Sequence, residues 1–201
     1  MLTASTLLLA AALSLGTDPG VTPGNGASLP ASSSRPPGVP GPIPTSSTEV
    51  TVGDPAPDFS YKSFDGEWRR LTDLRVHGPI LLVFGPDSKE LSSIQTERDL
   101  LLDLGVVPLA ICDVAPHTAY GLVRDLHLGF SVLADPRHVI AEQFNATDGS
   151  TQSTIPSWFV VDEKGRVRAM GHGVFPPGYA PLASRALGIP LPGQPRPAST
   201  R

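Results

Sequence analysis

Pro79-Ile80-Leu81-Leu82-Val83-Phe84 is an unbroken apolar run, and Gly85-Pro86-Asp87 ends it at once. A run this short, bounded by turn residues, predicts a strand buried on both faces. Downstream, Leu91 to Leu104 carries Leu91, Ile94, Leu101 and Leu104 at spacings that share one helical face. Val106 to Cys112 predicts a second buried strand. Thr118 to Leu126 then predicts a helix, Ser131 to Ala134 a strand and His138 to Phe144 a short helix. Ser157 to Val161 and Val167 to Met170 predict strands joined across Glu163-Lys164-Gly165, and Pro181 to Leu187 a last helix. Upstream, Phe59-Ser60-Tyr61 and Trp68-Arg69-Arg70 flank Asp65-Gly66, a hairpin signal. Strands that alternate with helices give an α/β fold: a central mixed sheet with parallel members, flanked by helices, after an N-terminal β-hairpin. The closing hairpin adds an antiparallel edge.

The patterned part fills residues 49–188, an ordinary domain length. It is preceded by a different kind of sequence. Leu7 to Leu15 is a short apolar run ending near Ser14-Leu15-Gly16, a small-x-small triplet suited to signal-peptidase cleavage. Residues 1–16 are therefore a candidate export signal to the periplasm or the exterior; because no Lys or Arg precedes the run, an ordinary apolar tail on a cytoplasmic protein stays open as the alternative. The run is too short to span a bilayer, which takes about 20 apolar residues. Residues 17–48 are mostly Pro, Gly, Ser, Thr and Ala, with Asp18 and Arg35 as the only charges. So few large apolar groups cannot offset the cost of ordering, and the segment reads as a disordered linker. A Pro-rich tail, 189–201, closes the chain with Pro190, Pro192, Pro195 and Pro197. The net charge of −4 supplies no basic field, which argues against nucleic-acid partners.

Several segments then carry a resemblance. Val52-Gly53-Asp54-Pro55-Ala56-Pro57-Asp58-Phe59 resembles the opening segment of the redoxin group, and Phe64-Asp65-Gly66 with Leu71-Thr72-Asp73-Leu74 resembles the group's second segment. Leu133-Ala134-Asp135-Pro136 and Ile155-Pro156-Ser157-Trp158-Phe159-Val160-Val161-Asp162-Glu163-Lys164-Gly165-Arg166-Val167 resemble its later motifs. The group joins peroxiredoxins of the alkyl hydroperoxide reductase and thiol-specific antioxidant type with thioredoxin-like reductases. The resemblance implies a thioredoxin-like fold. It also implies thiol-dependent peroxide reduction or thiol–disulfide exchange, with a thiol reductant as partner and no cofactor.

The residues that should carry that chemistry are absent. Peroxiredoxins place Pro-x-x-x-Thr-x-x-Cys after the first core strand. Counting from Pro86, Glu90 stands at the Thr position and Ser93 at the Cys position. In the reductase pattern Trp-Cys-x-x-Cys, the two cysteines fall on Lys89 and Ser92. Pro156 stands where peroxiredoxins carry an Arg, and it matches the cis-proline of the reductases. Serine cannot replace the thiol, because an oxygen nucleophile does not cycle through sulfenic acid and disulfide.

Cys112 is the one cysteine, so no internal disulfide or cysteine-rich zinc site is available. Its place at a strand end gives it some footing as an unconventional catalytic thiol. Free cysteine is nonetheless usually a small buried hydrophobe, and the adjacent Asp113 would raise its pKa. The five histidines, His77, His117, His127, His138 and His172, form no ligand-spaced pair, so no metal is expected. No Gly-x-Ser-x-Gly elbow supports a hydrolase. Asn145-Ala146-Thr147 fits a glycosylation acceptor. Two functions stay open on the same scaffold: a redoxin whose turnover is lost or altered, and a non-catalytic module. The module would take an extended peptide or protein between the Asp87-Ser88 helix start and the Pro156 loop.

Overall fold

The computed structural model of the protein describes residues 49–62 and 67–193. The expected export signal (1–16), the linker (17–48), the Asp65-Gly66 turn and most of the Pro-rich tail lie outside these residues. Strands β1 (Ser60–Lys62) and β2 (Trp68–Arg70) pair antiparallel, as the hairpin signal predicts. Helix α1 (Leu71–Leu74) and a 3-10 turn (Arg75–His77) lead into β3 (Ile80–Phe84). Then come α2 (Ser88–Asp103), β4 (Val107–Cys112), α3 (Pro116–Asp125), β5 (Ser131–Ala134) and α4 (Val139–Gln143). A small antiparallel pair, β6 (Thr147–Asp148) and β7 (Ser153–Thr154), precedes β8 (Ser157–Val161), β9 (Val167–His172) and α5 (Tyr179–Leu187).

The main sheet runs β5-β4-β3-β8-β9. β3 lies at its centre, parallel to β4 and antiparallel to β8, and all five of its residues are buried. Alternate residues of β3 serve the two faces. Ile80, Leu82 and Phe84 join Leu71, Phe144 and Phe159 on one side. Leu81 and Val83 meet Ile94 and Leu101 of α2 and Ala180 and Ala183 of α5 on the other. Pro108 is tolerated inside β4 because of its side: Val107 N–H donates to Pro79 O, 2.8 Å, so residue 107 faces β3 and Pro108 faces away from it. β5 begins pairing only at Leu109, so the absent N–H costs no ladder bond.

Helices α2, α3 and α5 start ahead of the apolar pattern, set by carboxylate acceptors at α2 and α5 and by proline at α3. α2 begins at Ser88, three residues before Leu91, since the Asp87 carboxylate accepts from Glu90 N–H at 2.7 Å. α3 begins at Pro116, whose fixed φ suits the first turn. α5 begins at Tyr179, where Glu97 Oε2 accepts from Ala180 N–H at 2.8 Å. α4 is capped by buried Asp135, which accepts from the backbone N–H groups of Val139, Ile140 and Ala141. The apolar pattern does not predict α1, the 3-10 turn or the β6–β7 pair. Each of these elements is four residues or fewer, too short for a period to register.

Candidate active site

The expected site lies where β3 hands over to α2. Gly85 turns the chain at φ +62, a left-handed conformation suited to glycine, and its N–H donates to Ile111 O at 2.9 Å. Pro86 is buried after it. A side chain at 85 would press on the Thr154 methyl of the β6–β7 pair at 3.0 Å, so that pair packs directly against this turn.

The first two turns of α2 hold the four residues aligned with the missing thiol chemistry. Lys89 is exposed and Glu90 half-buried. Ser92 Oγ donates back to Ser88 O at 2.8 Å, a local bond that leaves no activated oxygen. Ser93 is half-buried one turn further in. Glu90 has a specific partner: the Tyr179 phenol, at the start of α5, donates to Glu90 Oε1. Burial first, and then the Glu90 bond, pushes the Tyr179 phenol well above its ordinary value.

The neighbouring strands contribute a second cluster. Register places Phe84 opposite Ser157, and Ser157 opposite His172. Ser157 is fully buried, with its Oγ 2.8 Å from Ile155 O and 2.7 Å from His172 Nδ1. The hydroxyl has one proton, and the Ile155 carbonyl can only accept it. Shared between the two acceptors, that proton leaves the direction of the Ser157–His172 bond to the imidazole tautomer: Nδ1–H donates when it carries the ring proton and Nδ1 accepts when it does not. With no exposed surface, the Ser157 hydroxyl is out of reach of a substrate and serves as a structural partner of His172. Partial burial holds the His172 imidazole below the ordinary histidine value, with the Glu49 charge opposing. The cluster braces the β8–β9 end.

Pro156 departs from the expectation. Among the described residues there is no cis peptide bond, so the Ile155–Pro156 bond is trans. On either side of this bond, Ile155 N–H donates to Ala146 O at 2.8 Å, and Pro156 O accepts from Gly173 N–H at 2.7 Å. These bonds hold the extended lead into β8, and trans is the intrinsic preference, by about 0.5–1 kcal/mol. The same bonds occupy the backbone that an extended peptide would pair with.

Cys112 ends β4, one strand over. Its side chain is 2% exposed and packs with Leu91, Ala110, Ala119, Leu128 and Val132. Burial, then the Asp113 charge, pushes the thiol up from 9.0 to about 12. A thiol so placed is about 10⁻⁵ ionised at pH 7. Asp113 itself lies 3.8 Å from His138 Nε2. No group of three or more His, Cys, Asp or Glu suited to a metal occurs among the described residues. The Asn145 side chain holds the start of the described chain instead of standing free, accepting from Val50 N–H at 2.8 Å.

Sequence reasoning missed Ser157, His172, Tyr179 and the role of Asp87. Asp87-x-x-Glu90 was a readable cap signature. The others were not, since Tyr179 meets Glu90 across 89 residues.

The sequence profile of the AhpC/TSA family matches residues 52–170, more than half of the chain. The chain belongs to the AhpC/TSA family. A "Putative peroxiredoxin" of Mycobacterium tuberculosis is 30% identical over 156 residues, spanning 72% of this chain and 99% of that protein. A similarly named Haemophilus influenzae protein is 29% identical over 101 residues, spanning 47% of this chain and 64% of that protein. Among solved structures, peroxidoxin BcpB of M. tuberculosis superimposes with a TM-score of 0.60 at 21% identity, covering 70% of this chain and 96% of that one. Enterococcus faecalis AhpC gives 0.58 at 18%, covering 69% and 91%. The α/β sheet with its flanking helices is therefore the thioredoxin-like fold of peroxiredoxins. The family's chemistry is thiol-dependent peroxide reduction or thiol redox exchange. No helix among the described residues is long and apolar enough to cross a membrane.

Proposed function

We propose that this AhpC/TSA-family protein has kept the redoxin scaffold and lost thiol turnover, so that it acts by binding. One observation carries the reading: the chain's single thiol is 2% exposed in the core, with its pKa pushed to about 12. The first turns of α2 meanwhile present Lys89, Glu90, Ser92 and Ser93 in place of sulfur. Without a reactive thiol, a thiol reductant has nothing to regenerate, and the partner is a protein or peptide. Ile155 N–H and Pro156 O are already bonded within the chain, so they are not open to pair with an extended partner. The apolar run at Leu7 to Leu15 supports an exported location.

Peroxide consumption with a dithiol reductant tests this, comparing the protein with Cys112→Ala. The expected result is no consumption above the reductant-only rate in either. Turnover that disappears with Cys112→Ala would make Cys112 the catalytic thiol. Turnover that survives it would show that oxygen side chains serve. Either outcome overturns the proposal.

A further inference from the structure

The N-terminus of a helix ordinarily attracts anions, because its first N–H groups point outward and the macrodipole adds positive potential. At α2 that potential is already met from within. The Asp87 carboxylate takes Glu90 N–H, and the Glu90 carboxylate lies in the first turn. Glu90 is not free to swing into water, since the buried Tyr179 phenol donates to it from α5. Ser93 is three residues beyond Glu90, so the two share a helix face with Cβ atoms about 5–6 Å apart. The structure assigns to Glu90, held by Tyr179, the role of a fixed negative charge that bars anions from the first turns of α2. The charge makes a second obstacle to thiol chemistry, independent of the missing cysteine. It also excludes carboxylate and phosphate ligands from this helix start. This role goes beyond the loss of turnover and does not depend on it.

A cysteine placed at position 93 in a Cys112→Ala background reports the local potential through its own pKa. Its alkylation rate is measured against pH in the full-length protein. Helix N-termini and cations normally lower a thiol from about 8.5. Here Ser93→Cys is expected to titrate at or above that ordinary value. Adding Glu90→Gln should bring the titration down and raise the rate at pH 7. Adding Tyr179→Phe instead should shift it in the same direction but less, because the charge stays while its anchor goes. A Ser93→Cys thiol already depressed with Glu90 intact would overturn the assignment. A titration unmoved by Glu90→Gln would do so too. Wild-type peroxide turnover would refute the proposed function without touching this result.

Discussion

β3 and β4 both end in a turn that leads to a helix, and the two junctions divide what one junction would need. The β3–α2 junction has the architecture: a left-handed Gly85, a capped helix start and half-buried positions at 90 and 93. It has no sulfur. The β4–α3 junction has the sulfur, but Cys112 lies inside a packed cluster and its pKa is pushed to about 12. A thiol is made reactive by cations and exposed N–H dipoles, and made inert by desolvation and a neighbouring carboxylate. The residue type decides less than the junction it occupies.

If the β3–α2 junction is now a structural join, its residues should register in stability. Tyr179→Phe should have the largest effect. It removes a hydrogen bond to a carboxylate and should cost about 2 kcal/mol at neutral pH, read from the urea midpoint. The pH dependence has a definite sign. The phenol's folded value is raised above 10.0, so the bond's contribution is whole below pH 10 and fades as pH rises beyond it. Tyr179→Phe should lack that high-pH decline. A wild-type-like midpoint for the mutant would return the junction to the status of an unoccupied site. Asp87→Ala should have the smaller effect, about 1 kcal/mol, because solvent reaches the exposed cap and can replace part of it. A larger loss from Asp87→Ala than from Tyr179→Phe would invert the ranking of cross-helix bond over cap.

Most of the sheet was legible because its signals are local. Ile80 to Phe84 is a continuous apolar run, and β5 and β8 match their predicted limits. The β3–α2 junction was half legible: residue types at 89, 90, 92 and 93 could be read in order, but their partners could not. The Ser157–His172 contact was hidden by a bulge. Regular pairing from Val161↔Val167 would set Ser157 opposite residue 171. The register shift between Val160 and Val161 moves it to His172 and lengthens β9 beyond Met170. The trans bond at Pro156 was obscured for a different reason. Only resemblance suggested a cis isomer, whereas trans is the intrinsic preference of an X-Pro bond.

The central claim is that this redoxin scaffold holds no usable thiol, and alkylation of native Cys112 tests it most directly. The full-length protein is treated with a neutral alkylating reagent at pH 7 and pH 9, with and without denaturant, and read by intact mass. The account predicts negligible modification of the native protein at both pH values and complete modification once it is unfolded. Rapid native labelling at pH 7 would contradict it, because a thiol that reacts there is neither buried nor held near 12.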